Sequence, residues 1–154
     1  MAQREGDRFV VRLQSDPLSV DEAYRFVQPG NVGAISLFVG TTRTFTEGRG
    51  ETVQLEYDCY PEMALEEMAR LCDSTIDAHG AERLFIVHRT GLVAVGEASV
   101  IVAASSAHRH QSLMACRHLI DTLKQTVPIW KKEIYSDGAT DWVQGGGPES
   151  RLRG

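Results

Sequence analysis

Several features that mark large protein classes are missing from this sequence. No apolar run is long enough to cross a bilayer, so no transmembrane helix is expected. The opening residues, Met1-Ala2-Gln3-Arg4-Glu5-Gly6-Asp7, are polar and lack the apolar centre of a signal peptide, so no secretory leader is expected either. Cysteine is scarce. Cys59, Cys72 and Cys116 are odd in number and far apart, which excludes a disulfide framework or a zinc site and predicts reduced thiols in a cytoplasm. Positive charge is in deficit, with 16 Lys and Arg against 21 Asp and Glu and a net charge of −5. General nucleic-acid binding prefers a basic surface, so any basic cluster here is a local feature suited to a small anion. There is no Walker loop, dinucleotide fingerprint, serine nucleophile elbow or metal-ligand spacing. No resident metal or cofactor is therefore expected.

What is present is ordinary globular composition: 154 residues, 42% hydrophobic and 24% charged, enough chain for a sizeable core. One domain is expected over 1–144. Gly145-Gly146-Gly147-Pro148 opens a segment, 145–154, expected to be a flexible tail.

The patterning predicts mixed elements. Phe9 to Leu13 reads as a strand, and Ser19 with Glu22 as a capping box opening a short helix that Pro29-Gly30 stops. Val32 to Gly40 is a dense apolar strand, followed by a polar loop from Thr41 to Glu51 that carries Arg43 and Arg49. Thr52 to Asp58 alternates as a strand with one buried face. Pro61 opens a second helix, with Leu65, Met68, Cys72 and Ile76 as its core stripe, and Gly80 ends it. Leu84 to Arg89 and Ala98 to Ser105 read as strands on either side of a Gly91 turn. A third helix starts near His108 and spaces Leu113, Cys116, Ile120, Leu123 and Val127 helically. Ile129 to Tyr135 and Thr140 to Val143 are strands around a Ser136-Asp137-Gly138 turn. Helices and strands mix without strict alternation, so an α+β fold with a largely antiparallel sheet is expected.

Three basic constellations can carry chemistry. The first is Leu123-Lys124-Gln125-Thr126-Val127-Pro128-Ile129-Trp130-Lys131-Lys132-Glu133. Pro128 cannot continue a helix and pushes Val127 out of it, so Lys124 sits in a last helical turn and Lys131 and Lys132 lie just past the break. Crowded ammonium groups favour a neutral amine in one of them, able to act as a base or nucleophile, while the charged set holds an anion. Strand alternation places Lys131 with Ile129 and Glu133, and Lys132 with Trp130 and Ile134. Lys124 and Lys131 are therefore the better pair. A solvated lysine-rich edge strand is the other reading.

The second constellation is Ser106-Ala107-His108-Arg109-His110, at a strand-to-helix junction. Free N–H groups at a helix N-terminus hold phosphate, Arg109 adds a bidentate fork, and His108 can donate a hydrogen bond or proton. Alternatively, Ser106 caps the helix and the basic residues are solvated. His108 and His110 do not face each other on a helix, which argues against a metal pair, and His88 reads as a satisfied histidine. The third is Gly40-Thr41-Thr42-Arg43, where a glycine admits a ligand to the backbone and two hydroxyls and a guanidinium can hold polar groups. An ordinary loop is its alternative.

A family pattern runs through these segments. Phe38-x-Gly40-x-x-Arg43, His88-Arg89-x-Gly91, Gly96-Glu97, Ser106-x-His108-Arg109 and Leu123-Lys124-x-x-Val127-Pro128-Ile129-Trp130-Lys131-Lys132-Glu133 occur in that order. From about Phe9 to Val143 the chain resembles the large, catalytic subunit of molybdopterin synthase. Thr42 departs from the family, which has an aliphatic residue there. The resemblance implies an α/β hammerhead fold with flanking helices, in a homodimer within a heterotetramer. It also implies a small β-grasp (ubiquitin-like) partner whose C-terminal Gly-Gly carries a thiocarboxylate. Sulfur would pass from that tail to cyclic pyranopterin monophosphate, building the dithiolene of molybdopterin in molybdenum cofactor biosynthesis. The catalytic lysines would fall on Lys124 and Lys131. Substrate binding would fall on Arg43, His108 and Arg109, with Lys132 and Glu133 lining the same region, and the hydroxyls of Thr41 and Thr42 add to it from the reading of the Gly40 segment. Phe38 would lie beside the incoming tail. Two other readings of the residues stay open: a non-catalytic phosphopterin- or nucleotide-binding module, and a sulfurtransferase carrying a persulfide on Cys59 or Cys116.

Overall fold

A computed structural model describes residues 1–46 and 50–144; Arg49 and the tail 145–154 lie outside the described residues. The elements in chain order are β1 (Ala2–Glu5), β2 (Phe9–Gln14), α1 (Val20–Val27), β3 (Ala34–Thr41), β4 (Phe45–Thr46), β5 (Gly50–Cys59), α2 (Pro61–His79), β6 (Arg83–Arg89), β7 (Gly91–Ala94), β8 (Ala98–Ser106), α3 (Arg109–Thr126), β9 (Ile129–Tyr135) and β10 (Thr140–Gln144).

The strands form two sheets. The first runs β1-β2-β6-β8-β3; the second runs β10-β9-β5-β4, with β7 also pairing with β5. Among the described pairings only β2 with β6 is parallel, so the expected α+β, largely antiparallel architecture is the one observed.

Burial explains the arrangement. On one face of the first sheet, Val11, Leu84, Ile86 and Val102 meet Met68 and Cys72 of α2 and Leu119 and Leu123 of α3. On the other face, Val10, Phe85, Val87 and Ile101 meet Ala23 and Val27 of α1. With both faces covered, β6 has no polar face, so Leu84 to Val87 is a continuous apolar run. Pro61 opens α2 at a position where its missing N–H is not needed, and Gly80 closes it in the left-handed conformation at φ 67°. At the end of α3, Val127 is extended before Pro128 and still donates to the Leu123 carbonyl at 3.2 Å, which leaves Lys124 in the last turn as expected.

Several details depart from the sequence reading. Leu113 is 59% exposed; α3 turns Ser112, Ala115, Cys116 and Leu119 to the sheet instead. The residues after Gly91 form β7 and not just a turn, because Leu55 and Tyr57 of β5 offer them a ladder. Residues 2–5 form β1, a polar edge strand with no apolar signature, and the loop from Thr41 contains β4. The capping box of α1 is half made: Ser19 accepts from the Glu22 N–H, but the Glu22 carboxylate pairs with Arg12. Ser106 does not cap α3; the cap position is His108, and the Ser106 hydroxyl donates to the His108 carbonyl at 2.7 Å.

Candidate functional site

The lysines and the Gly40 loop meet where the two sheets adjoin. β3 and β8 are antiparallel, and a register shift at Gly40/Thr41 bends the chain out of the sheet toward Arg43. The outgoing loop is fastened to the turn before β8: the Thr42 N–H donates to the Glu97 carbonyl at 3.3 Å, and the Gly96 N–H donates to the Thr42 carbonyl at 2.9 Å. Thr41 is exposed, while the buried Thr42 hydroxyl finds no hydrogen-bond partner. Phe38 is half-buried against the main core.

Lys124 is half-buried at the end of α3. Burial, and then the nearby Arg43 guanidinium, hold its ammonium below the usual lysine range; Asp121 opposes them. Amine neutralisation was expected from crowding among the lysines, but the neighbouring cation is an arginine from another element. Lys131 reaches the same region from β9. Its ammonium stands 3.9 Å from Glu133, and Glu133, buried, accepts a 2.6 Å hydrogen bond from the Tyr135 hydroxyl. Glu133 is thus a buried carboxylate beside Lys131. The charges of both Lys124 and Lys131 act on one buried imidazole, His88.

Three expected residues are not brought there. Lys132 points to the opposite face of β9, where it pairs with Glu56 at 3.6 Å and lies 5.6 Å from the Trp142 ring centre. His108 and Arg109 open α3 and Lys124 closes it. At about 1.5 Å per residue the two ends lie roughly 22 Å apart, more than two Debye lengths at physiological salt. Within one protomer the three basic constellations thus do not converge: Gly40–Arg43 and the lysines do, and the start of α3 does not.

The cysteines stand apart from this group. Cys116 is buried on α3, its thiol pushed up to about 11, and burial raises Cys72 further still. Cys59 is raised by burial and by Asp58 and lines a separate cleft with Tyr60, Trp130 and Trp142. Burial works against the thiolate at each of the three, which speaks against the persulfide reading.

Sequence reasoning missed Tyr57, Ser99 and Tyr135. Tyr57 carried a weak signal, since alternation placed it with buried Leu55. The partners of all three follow from strand register, which has no local signature.

Two outcomes are expected from this geometry. A Cβ on Gly40 would lie 2.7 Å from the buried Val100 side chain. Gly40→Ala should therefore cost about 1–3 kcal/mol in denaturant unfolding and displace the Arg43 loop, weakening binding of an anionic ligand in calorimetry. The second concerns acid. His88 is held neutral down to about 4, chiefly by burial and then by the two lysine charges, against an ordinary value near 6.5 when unfolded. Between those values the unfolded chain binds more protons, so stability rises with pH. This contribution is complete above about pH 6.5 and is lost as pH falls toward 4, up to about 3 kcal/mol in all. Denaturation midpoints from pH 7 to 4 should show a shallower slope in His88→Gln; an unchanged slope would place the acid sensitivity elsewhere.

Comparison with known proteins agrees with the sequence resemblance. Residues 13–126 match the family model described as MoaE protein. The molybdopterin synthase catalytic subunit of Bos taurus is 46% identical over 138 residues, covering 90% of this chain and 72% of the bovine one. The crystal structure of molybdopterin synthase from Staphylococcus aureus superposes with a TM-score of 0.80 at 32% identity, covering 85% of this chain and 94% of that one. A Helicobacter pylori structure, a protein–protein complex of subunits 1 and 2 of molybdopterin-converting factor, shares the fold with a TM-score of 0.70 at 22% identity over 87% of this chain and 88% of that one. With the family model spanning most of the domain and a relative 46% identical over 90% of the chain, this chain belongs to the MoaE family, the sulfurtransferase subunits of molybdenum cofactor biosynthesis.

Proposed function

We propose that this protein transfers sulfur from the thiocarboxylated C-terminus of a small β-grasp subunit to cyclic pyranopterin monophosphate, producing the dithiolene of molybdopterin. What supports this reading is that Arg43, Lys124 and Lys131, from three separate elements, lie within electrostatic reach of one another: Arg43 acts on Lys124, and both lysines act on the buried His88. A cyclic phosphate and a thiocarboxylate are both anions, and positive charge offsets their repulsion as they approach. Arg43 and Lys131 supply that charge. Lys124, with its lowered proton affinity, is suited to give and take the protons needed when the cyclic phosphate opens and carbonyl oxygen leaves as water. Glu133 keeps Lys131 in place, Thr41 and Thr42 flank the phosphate, and Phe38 lies beside the incoming tail. A phosphorylated substrate and free thiols suit a cytoplasmic enzyme, and among the described residues no helix is long and apolar enough to cross a membrane.

His108 and Arg109 join this site from a second copy. β3 is the open edge of the first sheet, with Leu37 and Val39 exposed at 40% and 38%, and Leu113 and Met114 exposed on the α3 helix that packs on it. Ala34 pairs with Ser106 at the α3 start, whereas Thr41 leads to Arg43 at the lysine end. Two β3 edges paired antiparallel about a two-fold axis set the Ala34 end of one against the Thr41 end of the other. The partner's helix start then faces Arg43 and Lys124.

Turnover with the purified pterin and the thiocarboxylated small subunit is the direct test, and this chain alone should be inactive. In calorimetry, the intact small subunit should bind more tightly than one lacking its last two glycines. Equal affinity of the two forms would count against tail insertion.

A further inference from the structure

Beneath the two lysines lies a polar cluster that the reaction scheme above does not use. Tyr57, His88 and Ser99 come from β5, β6 and β8 and meet at the seam of the two sheets. The Tyr57 ring packs edge-on against His88, with centroids 4.8 Å apart at 75°. Its hydroxyl faces Ser99, whose own hydroxyl donates to the Gly40 carbonyl at 3.2 Å. His88 is 7% exposed, and its Nδ1 lies 2.7 Å from the Arg89 carbonyl. A carbonyl only accepts, so Nδ1 carries the hydrogen and Nε2 is bare.

Each member is tied to a different part of the cation group. Tyr57 is the cross-strand partner of Lys131. Ser99 holds the carbonyl of Gly40, where β3 bends toward Arg43. His88 feels both lysines at once. We propose that Tyr57, His88 and Ser99 form a positioning layer: an uncharged, packed floor that fixes Lys131 relative to Lys124 and Arg43. None of the three touches the reactants in this scheme, so they are positioning residues.

The physical need is plain. Three cations gathered to receive anions repel one another, and flexible side chains relieve that by moving apart. A rigid floor prevents the movement, and a neutral one adds no further repulsion. The charged and titratable groups around it are Lys124 from α3, Lys131 and Glu133 from β9, Arg43 after β3, and Arg89 beside His88. Leu13 and Val100, which flank His88 on β2 and β8, carry no charge.

This inference rests on the lysine site being the reaction site, and the test separates the two claims. Turnover of the assembled complex is measured for Tyr57→Phe, Ser99→Ala, their double variant, His88→Gln and His88→Phe, with Lys124→Ala and Lys131→Ala as references. Tyr57→Phe keeps the ring and loses only the hydroxyl. It should lower kcat roughly tenfold or more while KM for the pterin stays within about twofold, because misplacement of reacting groups is felt in the chemical step. Ser99→Ala should do the same. The double variant should be no worse than the worse single one, since both break one chain of contacts. His88→Gln, which keeps a neutral polar group, should retain more activity than His88→Phe.

If Tyr57→Phe and Ser99→Ala keep wild-type kcat, or if their effects multiply, the positioning layer is wrong although the lysine site stands. If both lysine variants keep wild-type rates, the site itself is wrong. Should a variant fail to fold, nitrogen NMR on the wild-type complex still decides: His88 must carry its hydrogen on Nδ1 at pH 7, and a hydrogen on Nε2 overturns the proposal.

Discussion

Lys124→Ala and Lys131→Ala are each expected to lose roughly 10²–10⁴ in single-turnover rate, the range for removing a group that moves protons or stabilises developing charge. Their effects on stability should differ. Lys124 pays for its half-buried position with repulsion from Arg43, so truncation loses stem packing but relieves a charge conflict, and unfolding should shift within about 0.5 kcal/mol. Lys131 stands 3.9 Å from the buried carboxylate of Glu133, and truncation takes that cation away from it. Removing Lys131 should therefore cost about 1–3 kcal/mol as well as the rate. Lys132→Ala is the control. Its ammonium lies on the other side of β9 with Glu56 and Trp142, and turnover should stay near wild type. Arg43→Ala should mainly weaken pterin binding. Should both Lys124→Ala and Lys131→Ala fold and turn over normally, the cluster is a binding surface without a catalytic role.

Two inactive proteins should restore activity when mixed. Arg109→Ala and Lys124→Ala each remove one component of every site if the two residues meet only across a two-fold axis. In a mixed dimer one site receives both substitutions and the other receives none. Random re-association of equal amounts should then recover about a quarter of wild-type turnover, because half of the dimers are mixed and each has one intact site. The roughly 22 Å between the ends of α3 is why no such rescue can occur within one chain. Mixing Arg43→Ala with Lys124→Ala is the contrasting pair. These residues belong to the same protomer's site, so one mixed-dimer site carries only Arg43→Ala and the other only Lys124→Ala, and no wild-type site forms. Recovery in both mixtures, or in neither, would remove the shared-site arrangement.

Much of this protein was readable locally. Pro61, Gly80 and Pro128 impose backbone restrictions that no distant contact overrides, so the ends of α2 and α3 stand where the sequence puts them. Alternation along residues 129–135 separated Lys131 from Lys132, because the side-chain period of a strand is geometric. The ordered motifs were specific enough to point to the family before any fold was seen.

The remainder depended on pairing between distant segments. β1 and β7 carry weak patterns of their own and exist because β2 and β5 offer open ladders. The burial of Glu133 and its bond to Tyr135, the Tyr57–His88 ring contact, the Ser99 bond to Gly40, and the neutral state of His88 all follow from register between strands far apart in sequence. The same holds for the start of α3. Its basic residues look like part of the lysine site when read in order, but a rigid helix carries them to the far end of the protomer. The sequence by itself determined which residues carry charge and where helices must stop, since those are properties of single residues and their neighbours. Tertiary structure alone decided which charges meet, because distance in space is set by packing and strand pairing.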